Sequence, residues 1–171
     1  MPRPVLLLDV DGVLDPAFTA RAWAKRSGRD GWRRYDPSGP DLLDDDGEPL
    51  RLVQYLNAGH GALLLAAAEE ADAELAWATT WNELANKYVG PRIGLPELPV
   101  YQSGGNPKRP AAVLEAVAAQ RRRFAWLDDS RGVIAACQAS PHGEGVWVHA
   151  RSGLMPYHLA RAVKILKGEN L

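Results

Sequence analysis

The sequence predicts an α/β fold: a central parallel sheet with helices on both faces, in three Rossmann-like layers. Three observations predict it. Short, wholly apolar runs recur along the chain, of the kind that become strands buried on both faces. Segments of helical length and period lie between them, so strands and helices alternate. The 171 residues suffice for one compact domain and are too few for two comfortable ones.

Val5-Leu6-Leu7-Leu8 is the first apolar run, and Asp11-Gly12 signals the turn that ends it. Residues 16–49 break the pattern with several Gly and Pro, two charge blocks of opposite sign and poor periodicity. They read as an insertion within a single 1–171 domain, a flap or small cap carrying a β-hairpin. Residues 50–56 alternate as a strand expected to belong to the core, and Asn57 is a good N-cap for a helix over 58–71. A second buried strand follows at 75–78, then a helix over 82–88. Residues 91–99 are a Pro/Gly connection to a short strand at 100–102. A loop over 103–107 leads to a helix over 109–119, whose Val113, Leu114 and Val117 share one face. Phe124 to Leu127 is a further strand, 131–139 a helix and 145–149 a strand. A helix over 156–167 closes the chain, with Leu159, Ala162, Val163 and Leu166 on one stripe.

Composition excludes several classes. With 46% hydrophobic and 24% charged residues, the chain is neither wholly disordered nor collagen-like. Twenty Lys and Arg against 21 Asp and Glu give a net charge of −1, so any nucleic-acid or membrane partner must be recruited by a local patch. The single cysteine, Cys137, excludes an internal disulfide and a paired-cysteine metal site. The longest apolar run, 62–68, falls well short of the roughly 18 residues of a membrane span. Met1-Pro2-Arg3-Pro4 carries no leader pattern. The expectation is a soluble protein of the reducing cytoplasm; the sequence carries no signal of its oligomeric state.

Carboxylates fall at the C-terminal ends of the predicted strands, where a parallel sheet delivers catalytic groups. Asp9 and Asp11 follow the first strand, Thr79 the second, and Asp128 and Asp129 the strand over 124–127. Lys108 stands just before the helix that leads into that last strand. Capping and turn formation account for Asp11 before Gly12. They do not account for two carboxylate pairs, each following an apolar strand.

In order the segments read Leu-Leu-Leu-Asp-Val-Asp-Gly-Val-Leu, then Leu-Ala-Trp-Ala-Thr-Thr, then Lys108, then Phe-Ala-Trp-Leu-Asp-Asp-Ser. This set resembles the four motifs of the haloacid dehalogenase (HAD) superfamily in type, order and approximate spacing over residues 5–129. The last strand and helix fit the same fold. The resemblance implies Asp9 as a nucleophile that attacks phosphorus in line and forms an aspartyl-phosphate. It implies Asp11 as the acid that protonates the leaving oxygen and later deprotonates water. An ordinary aspartate titrates near about 3.9, so Asp11 needs burial or neighbouring carboxylates to hold a proton near neutrality. Thr79 and Lys108 would hold the phosphoryl oxygens, with Thr80 the alternative to Thr79. Mg²⁺ would be held by the Asp9 carboxylate, the Asp11 carbonyl and Asp128, with Asp129 direct or through water. Trp81 and Asn82 are expected to line the pocket. An aspartate at position 11 favours phosphate-ester hydrolysis over carbon–halogen cleavage.

The expected substrate is a small phosphorylated metabolite or a nucleotide. An end-processing phosphatase of nucleic acids is the main alternative, because Arg21, Lys25, Arg26, Arg29, Arg33 and Arg34 are interleaved with Trp23 and Trp32. The competing reading pairs these cations with Asp41, Asp44, Asp45, Asp46 and Glu48 across the hairpin. From other classes come a phosphoacceptor signalling domain, whose accepting aspartate stands on a later strand, and a non-catalytic binding protein. Residues 79–108 are too few for a large cap. Arg121 to Arg123 read as a solvated turn, His60 as an exposed helix residue, Trp77 and Trp126 as core, and Cys137 as buried and inert.

Overall fold

The computed structural model describes residues 2–44, 46–103 and 109–169. The chain runs β1 (Val5–Leu8), α1 (Ala20–Arg26), β2 (Trp32–Tyr35), β3 (Gln54–Asn57) and α2 (His60–Glu70). It continues through β4 (Glu74–Trp77), α3 (Leu84–Tyr88), α4 (Gly90–Ile93) and α5 (Arg109–Ala119). It ends with β5 (Phe124–Asp128), α6 (Arg131–Gln138), β6 (Gly143–Trp147) and α7 (Pro156–Lys167).

Strands β4, β1, β5 and β6 lie in that order in one parallel sheet. Alternate residues of β1 feed two separate cores. Leu6 and Leu8 pack in the cluster that holds Leu64 of α2 and Leu159, Ala162 and Leu166 of α7. Val5 and Leu7 pack in the cluster that holds Val113 and Val117 of α5 with Val133 and Cys137 of α6. The two-residue period of a strand therefore gives a sheet covered on both faces, the three layers that the apolar runs predict. Burying each of the valines and leucines among them contributes about 1.5–3 kcal/mol.

Register fixes what stands beside what at the C-terminal edge. Leu8 is level with Leu127 on one side and Trp77 on the other. Asp9 N donates to Leu127 O (3.1 Å) and Ala78 N to Leu8 O (2.9 Å), so the residues after β1, β4 and β5 emerge side by side.

The insertion folds differently from expectation. Residues 54–57 pair antiparallel with β2, Trp32 opposite Asn57 and Tyr35 opposite Gln54, in a two-stranded ribbon outside the parallel sheet. Their burial alternates, as a ribbon covered on one face requires, whereas core strands are buried on both. The ribbon is fastened to the core at several points. Tyr55 N donates to Asp15 Oδ1 (2.7 Å), and Arg92 donates to Gln54 Oε1 (2.7 Å) while lying over the Tyr35 ring. Asp41 accepts from Lys87 Nζ (2.6 Å) and from the Tyr88 hydroxyl. Phe18 stands edge-on to Trp32, and Trp23 lies against Tyr55.

Several expectations are corrected by these contacts. The acidic run does not neutralise the basic block among the described residues: Asp41 faces α3, Arg34 pairs with Asp36, and Arg26 lies over Phe18. Asp45 lies outside the described residues. The strand expected at 100–102 is a single β-bridge from Val100 to Trp77. Residues 91–93, read as the start of the 91–99 connection, belong to α4. Arg122 is a clamp rather than a solvated cation, donating to Glu74 (2.6 Å) and to the carbonyls of Arg3 and Pro4. Cys137 is buried, as expected, and burial pushes its thiol up to about 12. No helix among the described residues is long and apolar enough to cross a membrane.

His60 is 5% exposed rather than on the surface. It stands edge-on to Trp32, its Nδ1 has no hydrogen-bond partner among the described residues, and burial pushes its pKa down to about 4. A depressed histidine contributes stability that is complete above its unfolded value, near about 6.5, and is lost as pH falls toward the folded value. His60→Gln is therefore expected to remove about 2 kcal/mol of the acid destabilisation that the protein shows by pH 5. Calorimetry at pH 7.5 and pH 5 checks it: the fall in Tm between the two should shrink by about 4–8 °C.

Candidate active site

Three strand ends deliver the chemistry. Asp9, first after β1, is 3% exposed, and its Oδ1 accepts from Val10 N (2.9 Å). Asp128, last in β5, is fully buried and its Oδ1 accepts from Ser130 N (2.8 Å). Between them lies Arg109, at the start of α5 and 4% exposed. Its Nη1 is 2.9 Å from Asp9 Oδ1 and donates to Ala78 O (3.2 Å) beyond β4. Its Nη2 is 3.0 Å from Asp128 Oδ2, an ion pair without hydrogen-bond geometry, and bonds Oδ1 at 3.3 Å. One guanidinium thus ties the ends of β1, β4 and β5.

Asp129 stands half-buried beside this pair, its carbonyl accepting from Trp147 Nε1 (3.0 Å). Ligand oxygens of Asp9, Asp128 and Asp129 all lie within 4.8 Å of one another. Gly12 makes room for this: a Cβ there would meet Asp129 Oδ2 at 2.3 Å, and its φ of +72° favours glycine. Asp11 is exposed at the head of a turn whose next three residues are buried, where Gly12 N donates to Asp15 O (2.9 Å). Its Oδ2 accepts from Trp81 Nε1 (3.0 Å). Asp9, Asp11, Thr80, Arg109, Asp129 and Ser130 line a cleft of ≈ 330 Å³.

Crowding governs the protonation states. Burial, then the charge of Asp9, raises the pKa of Asp128, against the pull of Arg109. Desolvation and then Asp9 raise Asp11 and Asp129 too, and the Trp81 N–H opposes the rise at Asp11. Burial works against the Arg109 charge, yet Asp9 and Asp128 more than offset it and hold the guanidinium protonated. Four carboxylates thus surround one cation among the described residues. A hard, all-oxygen donor set with surplus negative charge fits a hard divalent cation such as Mg²⁺.

The structure brings Asp9, Asp11, Asp128 and Asp129 together. It sets Thr80 in the cleft wall and buries Thr79 behind it, the Thr79 hydroxyl accepting from Trp81 N (3.4 Å). Asn82, at φ +46°, braces loops: its Oδ1 accepts from Ser103 N (3.1 Å) and its Nδ2 donates to Thr80 O (3.3 Å). Lys108 lies outside the described residues. Sequence reasoning missed Arg109. The signal was present: Arg109 precedes Val113 and Val117 by four and eight residues, which puts a charge on the buried stripe of α5.

No protein-family model and no curated protein matches this chain. A solved structure described as a HAD superfamily (subfamily III A) hydrolase from Legionella pneumophila is similar to it at 14% identity, over 97% of this chain and 84% of that chain, with a TM-score of 0.46. At that identity and score, the likeness assigns no role to any residue.

Removing Arg109 leaves two buried carboxylates without their cation. Arg109→Met is expected to cost about 3–5 kcal/mol in urea denaturation without divalent ions. Adding Asp128→Asn should recover part of that loss. A stability equal to that of the unaltered protein would show that the cation is not needed to hold the strand ends together.

Proposed function

We propose that this chain is a HAD-type hydrolase of phosphomonoesters, working through an aspartyl-phosphate on Asp9. The observation that carries the reading is the convergence of Asp9, Asp11 and Asp129 on one cleft braced by Arg109, with the buried Asp128 grouped beside Asp9 and Asp129. Asp9 Oδ1 is occupied by Arg109 and Val10 N, which leaves Oδ2 to attack phosphorus. Asp11 protonates the leaving oxygen and then takes a proton from the hydrolytic water, and its raised pKa suits an acid that holds its proton. Arg109 keeps Asp9 aimed and reduces the repulsion met by an incoming phosphate. Thr80, in the cleft wall, donates its hydroxyl to a phosphoryl oxygen in place of the buried Thr79. Lys108 retains its role as a phosphate-binding cation in this reading.

The carboxylates of Asp9, Asp128 and Asp129 with the Asp11 carbonyl are the groups that would hold Mg²⁺. When bound, such an ion neutralises the carboxylates and polarises a phosphoryl oxygen. A small phosphorylated metabolite or a nucleotide is the favoured substrate, because Trp32 of the basic insertion is buried against Phe18 and His60 and offers no stacking face. A cytoplasmic setting goes with this reading.

Hydrolysis of p-nitrophenyl phosphate with Mg²⁺ tests it, with a loss on the order of 10³-fold or more in Asp9→Asn. On an alkyl ester such as glycerol phosphate, Asp11→Asn should lose roughly 10²–10⁴-fold. A phosphoprotein that forms without turnover would overturn the hydrolase in favour of a phosphoacceptor domain. Millimolar Mg²⁺ is expected to raise Tm by linkage, and the rise should disappear in Asp128→Ala.

A further inference from the structure

We infer that Trp81 is a positioning residue for the catalytic acid: its indole Nε1–H, 3.0 Å from Asp11 Oδ2, sets the rotation of the Asp11 carboxyl and leaves Oδ1 to handle the proton. The inference rests on the phosphomonoesterase reading and deepens it.

The two partners differ in how firmly they are held. Asp11 is itself exposed, at the head of a turn whose Gly12, Val13 and Leu14 are buried and whose backbone is anchored through Asp15, and the indole is the hydrogen-bond partner of its side chain among the described residues. An aspartate so placed samples several rotamers. Trp81 is half-buried and packed against the larger core cluster. Its own N donates to Thr79 Oγ1 (3.4 Å), and its carbonyl accepts from Leu84 N (3.0 Å) at the entry to α3. A fixed donor from beyond β4 therefore orients a loosely held acid beyond β1, across 70 positions of sequence.

Orientation decides which oxygen does the chemistry. A carboxylic acid that accepts a hydrogen bond at Oδ2 carries its proton on Oδ1. In the first half-reaction, Asp9 Oδ2 forms a bond to phosphorus and the bond to the leaving oxygen breaks. Its electron pair goes to that oxygen, which takes the proton from Asp11 Oδ1. In the second, Asp11 Oδ1 takes a proton from water as the water oxygen bonds phosphorus, and the Asp9–phosphorus pair returns to Asp9. The Trp81 proton is never transferred. An indole that only walled the pocket would act on substrate affinity and treat all leaving groups alike.

Leaving-group dependence separates these roles. p-Nitrophenolate departs with little help, whereas an alkoxide needs the acid, and kcat/KM reports the step in which it leaves. The ratio of kcat/KM for glycerol phosphate to that for p-nitrophenyl phosphate is expected to fall about tenfold or more in Trp81→Phe, in the direction Asp11→Asn moves it. Trp81→His, which keeps a ring N–H, should hold a higher ratio than Trp81→Phe, and gives a second reading of that ratio against the unaltered protein if the phenylalanine variant does not fold. In an Asp11→Asn background, Trp81→Phe should leave the ratio where it is. Equal losses on both esters, or a rise in KM alone, would overturn the positioning role while leaving the phosphatase intact. Failure of the unaltered protein to hydrolyse either ester would overturn the phosphomonoesterase reading, and the role of Trp81 with it.

Discussion

The architecture depends on one buried guanidinium shared by two carboxylates. Parallel strands in register bring Asp9 and Asp128 to the same edge of the sheet, and both are almost wholly removed from water. Two such anions repel strongly in a medium of low dielectric, and each alone is costly to bury. Arg109 reaches both, and its planar fork also bonds the carbonyl of Ala78 after β4. A buried ion pair of this kind adds little net stability over an apolar replacement, because desolvation offsets attraction. What it supplies is specification: three chain segments, far apart in sequence, must end at fixed positions relative to one cation.

That arrangement leaves the site deliberately short of positive charge. A single guanidinium cannot satisfy Asp9 and Asp128 fully, and Asp11 and Asp129 add to the field. The upward shifts at these aspartates share two causes, desolvation and Asp9, so they report one crowded cluster rather than independent sites. Such a cluster relaxes by taking up a proton or a cation. The buried carboxylates are a donor set that a divalent ion would neutralise, and Asp11 is the more exposed member of the cluster. Gly12 belongs to the same constraint, since any side chain there would displace the Asp129 carboxylate from the cluster.

What the sequence made legible follows from what is local. The apolar runs specify β1, β4 and β5 because both faces of those strands are buried, and the amphipathic stripe of α7 predicts it over 156–167 as observed. The carboxylates could be placed because a strand end fixes direction as well as position. The partner of β3 was not legible, since pairing with β2 is a long-range choice that alternation alone does not encode. Nor was the burial of His60, which depends on Trp32 arriving from the insertion. Thr79 and Thr80 are one residue apart, and only the turn after β4 decides which of them faces the cleft. Arg109 was hidden by Lys108 beside it, although its place on the stripe of Val113 and Val117 separates the two.

The insertion is fixed to the core by its attachments. A lid that opens must be joined to the core through few contacts and a hinge. Here Asp41 is bound to Lys87 and Tyr88, Gln54 to Arg92 and Tyr55 to Asp15, while Trp32 is buried against Phe18 and His60. Moving the ribbon as a body would break all of these together and expose aromatic surface. The ribbon is also tied, through Asp15, to the turn that bears Asp11. It is therefore a fixed support for the turn that bears Asp11, while the described residues that line the cleft come from other segments.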